Sequence, residues 1–221
     1  MNDNDIRLIT TLIPIETWNT VYMVLASTLA AVIIGLPMGI ILVITEKGGL
    51  KQNNSINMAI GAIVNVGRSF PYIILMIALI PFTRLIVGTS LGTPAAIVSL
   101  SIAAAPFVAR IVETALKEIS QGVIEAALAC GCSTWQIIYK VMLPEAMPSM
   151  MLGLTLTIIN LIGYSAMAGA MGGGGLGKIA IQYGYNRYET PLMIATVIVL
   201  IILVQIVQLI GNYIARKINK K

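Results

Sequence analysis

Long uncharged runs constrain this chain more than any single motif does. Between Glu16 and Glu46 there is no charged residue, and a spanning helix needs only ~20 mostly apolar residues. The run therefore crosses a bilayer with length to spare for tilt. The same pattern recurs, and spans are expected at about 17–45, 56–83, 93–112, 148–171 and 190–213. Inside a bilayer each segment must satisfy its own backbone groups, which leaves helices or closed barrels. Runs of this length select the helix. The chain is 57% hydrophobic and 10% charged, against roughly 25% charged in a soluble domain. The expectation is an all-α membrane protein with about five transmembrane helices. Residues 1–16, with Asp3, Asp5, Arg7 and Glu16, read as an extracytoplasmic polar tail, 17–215 as one transmembrane domain and 216–221 as a basic cytoplasmic tail. No basic n-region followed by a small-residue cleavage site opens the chain, so no signal peptide is expected.

Five spans put the termini on opposite sides, and charge decides which side is which. Lys47, Lys51, Arg110, Lys117, Lys140, Arg216, Lys217, Lys220 and Lys221 fall on one side, and Arg7, Arg84, Lys178 and Arg187 on the other. The positive-inside rule places the first group in the cytoplasm and the N-terminus outside. Topology thus accounts for the net charge of +5, and no nucleic-acid partner is implied.

Several residues inside the runs stand out. Trp18 and Tyr22 suit an interfacial belt. Gly35 and Gly39 could let another helix approach closely, and Gly35-Leu36-Pro37 could kink the first span. Arg68, followed by Ser69-Phe70-Pro71, lies roughly half-way along the second run. An intramembrane Arg is expensive and normally functional; an Arg bonding freed carbonyls at a break between two half-helices is the equal alternative. Thr93-Pro94 reads as a cap with Pro at the first helical position. Arg110, Glu113 and Lys117 follow at helical spacing, so Glu113 can pair with either neighbour. Gln205 and Gln208 can hydrogen-bond across a helix interface.

The most polar island between the runs is Glu125–Pro144, EAALACGCSTWQIIYKVMLP, within a loop of about 117–144. It is too short and interrupted to span. Two short surface helices are predicted: Gly131 suits a left-handed helix end, Ser133 with Gln136 forms a capping box, and Pro144 closes the unit. Pro148 then starts the fourth run. Cys130 and Cys132 read as small residues of this unit rather than a metal site or disulfide. Glu125-Ala126-Ala127, then Gly131, Val141 and Leu143-Pro144 resemble the EAA loop of ABC-importer permeases, with Val141 where the family more often has Ile. The resemblance implies that Glu125, Ala126, Ala127, Gly131, Val141, Leu143 and Pro144 couple the chain to a cytoplasmic ATPase.

The fourth run ends in a glycine-rich stretch, GYSAMAGAMGGGGLGK, from Gly163 to Lys178. Gly172, Gly177 and Lys178 satisfy part of a phosphate-loop pattern. However, Ile179 stands where Ser or Thr must meet magnesium, and an apolar span precedes the glycines where a strand should. A turn at the outer end of a span is the better reading. Gly163–Gly169 and Gly174–Gly177, with Tyr183-Gly184-Tyr185, resemble the corresponding segment of methionine-importer permeases. Tyr164, Ser165 and Met167, with Arg68, are candidates for lining or gating the translocation pathway. Gly174, Gly175, Tyr183 and Tyr185 are candidates for facing a binding protein.

No nucleophile has a base beside it, and the chain contains no His, so no catalytic constellation is evident. No metal and no cofactor is expected on this chain. The resemblance implies a type I ABC importer permease in a bacterial cytoplasmic membrane. Its partners would be a second copy of itself in a homodimer, two cytoplasmic ATPases carrying ATP and Mg, an extracytoplasmic substrate-binding protein and the lipid bilayer. Methionine is the expected substrate, with another amino acid or an osmoprotectant as the alternative. An ATP-independent carrier or channel is a further alternative that leaves the EAA segment unexplained.

Overall fold

The computed structural model describes residues 3–219, with side chains from Ile6 onward. Lys220 and Lys221 of the basic tail, Met1 and Asn2, and the side chains of Asp3 and Asp5 lie outside the described residues. Helices dominate: α1 (Asp3–Thr45), α2 (Asn54–Ser69), α3 (Tyr72–Ala78), α4 (Ile80–Val87), α5 (Thr93–Lys117), α6 (Gln121–Ala129), α7 (Thr134–Gln136), α8 (Leu143–Ala170), α9 (Gly175–Ile179) and α10 (Thr190–Ile218). Among the described residues, four helical stretches are long and apolar enough to cross a membrane: Ile6–Thr45, Thr93–Lys117, Thr134–Ala170 and Thr190–Ile218. The bent pair of α2 with α3 makes a fifth where its two halves count as one broken span.

The described chain forms two compact units. The first holds the residues up to Ala30 together with Phe70–Ala104 and Thr157–Gln208, and the second holds Ala31–Ser69, Ala105–Leu156 and the residues from Leu209.

In the first unit, Ile13, Leu176, Ile179 and Leu192 form a buried cluster, with Leu8, Ile9, Leu12 and Tyr183 packed against it. This corrects the expected polar tail at 1–16, because α1 is already helical from Asp3. Leu8, Ile9, Leu12 and Ile13 recur at helical spacing and have an apolar surface to bury, so the helix extends ahead of the first uncharged run. The α10 helix behaves oppositely. Only 6% of its most apolar window is buried within the chain, and Ile194, Val197, Ile201 and Leu209 are exposed. Such a face suits lipid or a second membrane helix.

In the second unit, α1 and α5 touch through glycine. A Cβ added at Gly35 would fall 2.6 Å from the Ala105 carbonyl oxygen, and one at Gly39 the same distance from that of Ala109. The four-residue spacing therefore does what it suggested, letting one backbone press against another. Nearby, Leu42, Val64 and Ala109 form a buried cluster.

The second run is not one straight span. The α2 and α3 helices meet at 106°, because a residue before Pro avoids helical angles and Pro71 has no N–H to continue the ladder. Pro71 takes φ −59°, ψ 130° and starts α3. Conversely, Pro144 and Pro148 do not delimit helices. From Thr134 to Ala170 the chain is a single helical stretch of 37 residues, with a π-helical segment at Ile137–Met142 immediately before Pro144. The Leu143 N–H donates to the Ile138 carbonyl five residues back. The widened turn accommodates the proline that an α-helical ladder would resist, which corrects both the second short helix and the expected stop at Pro144.

Candidate functional site: the EAA segment and a glycine-rich turn

The EAA segment lies in the second unit. Its first helix, α6, ends in a Schellman motif. The Cys132 N–H donates to the Ala127 carbonyl at 3.1 Å and the Gly131 N–H to the Leu128 carbonyl at 2.9 Å. Gly131 holds φ +75°, the left-handed value that closes such a motif and that side chains resist. Nothing lies within 4 Å of a Cβ built there, so backbone angle alone demands glycine. Cys130 and Cys132 are free thiols within the turn. Ser133 then caps the next helix: its Oγ accepts from the Gln136 N–H at 3.4 Å, and Gln136 Oε1 accepts from the Ser133 N–H at 2.8 Å.

Buried Ile137, Ile138 and Met142 anchor this segment, while Glu125, Ala126, Gly131 and Pro144 are exposed and Ala127, Val141 and Leu143 half-buried. Trp135 and Tyr139 are 75% and 74% exposed. Their four-residue spacing was legible in the sequence, but their outward direction was not. Uncovered aromatics at the start of this helical stretch are the composition of a contact surface.

Beside the segment, Glu113 is buried and accepts Arg110 at 2.7 Å and Lys117 at 3.0 Å, while Lys117 also reaches Glu46 at 2.8 Å. Glu113 thus pairs with both candidates rather than one. Arg110 also donates to Asn65 Oδ1 at 3.2 Å. Lys117 and Glu46 line a cavity of about 520 Å³ together with Gln121, Glu125 and Met142. Glu113→Ala would take from Arg110 and Lys117 their shared buried carboxylate, so a loss of about 1–3 kcal/mol of stability is expected. Lys117→Ala, at a 40% exposed side chain, should cost under about 1 kcal/mol. Thermal unfolding of the two variants in detergent measures the difference.

Arg68 belongs to the same unit. It is exposed in the last turn of α2, with its guanidinium 5.4 Å from the centre of the Phe107 ring. The break beside it is real, and the ring contact is a cation–π pairing. A mid-span position in a straight helix is not observed.

The other candidates lie in the first unit. Tyr164 stacks on Tyr72 with ring centres 4.9 Å apart and planes 8° from parallel, and the buried Tyr72 hydroxyl meets Ser99 Oγ at 3.2 Å. Ser99, Met76, Ala168, Met171 and Gly173 help to line a cavity of about 160 Å³. Ser165 is buried and donates to the Ile162 carbonyl of its own helix at 2.7 Å. Within this chain its hydroxyl therefore satisfies backbone. Met167 is exposed. Tyr72 and Ser99 had no sequence signal beyond being polar residues in an apolar setting.

The glycine turn is held by α1. Glu16 accepts from the Gly175 N–H at 2.7 Å and from Asn19 Nδ2 at 2.9 Å, and pairs with Lys178 at 3.4 Å. Thr20 Oγ1 accepts from the Leu176 N–H at 2.9 Å. Gly175 is buried with φ +75°, and a Cβ there would meet Thr20 Oγ1 and Met23 Cε at 2.7 Å. It is therefore no surface residue, which corrects its assignment to a binding-protein face. Gly174 and Tyr183 are half-buried, the latter beneath the Arg187 guanidinium at 4.6 Å, and Tyr185 is exposed.

Residues 31–220 match the model of the family described as binding-protein-dependent transport system inner membrane component. The chain belongs to this family. Among relatives of this permease, the "Probable D-methionine transport system permease protein MetI" of Vibrio cholerae is 51% identical over 205 residues, covering 93% of this chain and 91% of that one. The methionine import system permease protein MetP of Bacillus subtilis is 46% identical over 181 residues, 82% of each chain. In three dimensions the permease superposes on a chain of the MetNI methionine ABC transporter in inward-facing conformations, native crystal form. The TM-score is 0.95 at 45% identity, with 100% of both chains covered. An amino acid ABC transporter with histidines shares the fold, with a TM-score of 0.78 at 18% identity, over 98% of this chain and 99% of that one.

Proposed function

We propose that this chain is the membrane-spanning subunit of an ATP-driven importer of methionine, in the L form and in the D form. The observation that carries the reading is the 51% identity over 93% of the chain to a permease named for D-methionine transport. The permease acts as a homodimer with two cytoplasmic ATPases, which hold ATP and Mg, and accepts substrate from an extracytoplasmic binding protein. The charge asymmetry of the loops supports an N-terminus outside and a C-terminus in the cytoplasm.

In this reading the exposed Glu125, Ala126 and Pro144, with Trp135 and Tyr139, form the surface that meets the ATPase. Gly131 sets the turn, and Val141 and Leu143 tie the segment to α8. ATP binding draws the ATPases together, the coupling segments follow as rigid bodies, and the permease alternates between inward-facing and outward-facing forms by rocking. Rigid-body transmission suits a segment whose two caps and buried Ile137 and Ile138 fix its shape. Arg68, Tyr164, Ser165 and Met167 remain candidates for the pathway, and Gly174, Tyr183 and Tyr185 for the face that receives the binding protein.

The test is uptake of labelled methionine into proteoliposomes holding the permease and its ATPase, with binding protein outside and ATP inside. Uptake that needs both ATP and binding protein, and that excess methionine but no other amino acid competes away, is the expected result. ATP-dependent uptake of another amino acid or an osmoprotectant would move the cargo. Flux without ATP would overturn the coupling role.

A further inference from the structure

The second half of the turn from Gly172 to Gly177 is held by side chains far away in sequence. Glycine runs have no intrinsic preference for one conformation, yet Gly172, Gly174 and Gly175 are all set at positive φ. Gly172 closes α8 locally, its N–H donating to the Gly169 carbonyl at 3.2 Å and the Gly173 N–H to that of Ala168 at 2.8 Å. Beyond Gly173, two residues one helical turn apart on α1 supply the constraint. Glu16, 9% exposed, takes the Gly175 N–H, and Thr20, 1% exposed, takes the Leu176 N–H. These are donors for which a helix start has no internal partner. The Thr20 hydroxyl in turn donates to the Glu16 carbonyl at 3.0 Å, which aims its lone pairs at the turn. The Glu16 carboxylate is further oriented by Asn19 and by Lys178, the residue that closes the glycine stretch. Charge-assisted bonds of this kind are roughly twice as strong as neutral ones, and the turn offers no side chain of its own to do the work.

The geometry points to Glu16 as a positioning residue for import: with Thr20 it latches the glycine turn to α1 and so presents the surface around Gly174, Tyr183 and Tyr185 in the shape that the substrate-loaded binding protein accepts. This rests on the reading of that face given under the proposed function. Glu16 touches neither substrate nor ATP. Its effect runs through the backbone of Gly175 and Leu176, and the Lys178 pair is secondary to that capping.

Two measurements on the reconstituted complex of permease and ATPase test this, using Glu16→Gln, Glu16→Ala and the charge-reversed pair Glu16→Lys with Lys178→Glu. The first is hydrogen exchange at the amides of the glycine turn, which reads the latch without reference to transport. The second is ATP hydrolysis titrated with the cognate binding protein loaded with L-methionine. In Glu16→Ala, faster exchange at Gly175 and Leu176 is expected, with the half-maximal binding-protein concentration raised about tenfold and the maximal rate kept within about twofold. Glu16→Gln keeps one acceptor oxygen and should lie between Ala and wild type. The reversed pair restores an ion pair but leaves the Gly175 amide without its carboxylate acceptor, so it should behave like Ala.

Unchanged exchange in Glu16→Ala would overturn the latch, and full recovery by the reversed pair would overturn the capping role in favour of the ion pair. Faster exchange with an unchanged half-maximal concentration would sever the latch from import. Maximal rate and complex yield falling together in every variant would reduce Glu16 to a structural residue. A wild-type complex that the binding protein fails to stimulate would instead overturn the proposed function on which the inference rests.

Discussion

Gly131→Val is expected to abolish ATP-driven uptake, whereas Gly131→Asn is expected to retain most of it. The left-handed angle at this position, φ +75°, disfavours a β-branched residue by about 1–2 kcal/mol. Asn reaches the same angle far more readily because its short side chain bonds locally. Open space surrounds the site, so crowding plays no part in the comparison. Valine would release the Gly131 and Cys132 N–H groups from the carbonyls of Leu128 and Ala127, and α6 would lose its fixed angle to the helix that starts at Thr134. Gly131→Asp separates two effects, since it tolerates the angle as Asn does but sets a carboxylate on the exposed surface proposed to meet the ATPase. Its uptake should fall at least about tenfold, a loss of ~1.4 kcal/mol in productive docking, with unfolding temperature and dimer yield near wild type. Parallel uptake and thermal-unfolding measurements check all three variants. Normal uptake by Gly131→Val would remove the turn from the coupling role.

Gly39→Leu should have the largest effect on folding. A Cβ alone would fall 2.6 Å from both the Ala109 carbonyl oxygen and Val112 Cβ. The leading neighbour is helix backbone, which cannot swing aside, so α1 and α5 must separate or the variant must misfold. Overpacking typically costs about 1–3 kcal/mol, and a leucine on this backbone contact should reach about 3 kcal/mol or more, a large part of the ~5–15 kcal/mol that holds a domain together. Gly61→Ala is the control. Its new methyl would have only Leu42 Cδ2 nearby, at 3.8 Å, and a helical glycine replaced without strain should gain about 0.4–1 kcal/mol. Size-exclusion profiles and unfolding midpoints in detergent should move in opposite directions for the two variants. A Gly39→Leu protein as stable as wild type would contradict the close packing of α1 on α5.

The contrast between these glycines shows how differently the sequence speaks of different sites. Local rules carried the EAA segment well: Gly131 is the left-handed helix end, and Ser133 with Gln136 is a capping box, because both devices involve residues within a few positions of each other. Those rules misjudged the prolines. Pro71 breaks its helix, while Pro144 and Pro148 do not, and the difference lies in the widened Ile137–Met142 turn, an adjustment that no pattern around Pro144 announces. The end of the first run was also misread. A charge count places Glu16 in a polar tail, yet the carboxylate is buried because Gly175, Asn19 and Lys178 converge on it.

The sequence alone showed that this chain spans a membrane as helices, roughly where the spans lie, and where a polar segment lies between them. These follow from the length of uncharged runs and from bonds between near neighbours, and both are local quantities. Only the tertiary structure decided which glycines are pressed against backbone, that Tyr164 stacks on Tyr72, that Ser165 turns inward, and that Glu16 and Thr20 cap a turn more than 150 residues away. Those outcomes depend on which helices pack together. A buried donor takes whatever acceptor the fold brings within reach, and nothing in the residues on either side of it names that acceptor in advance.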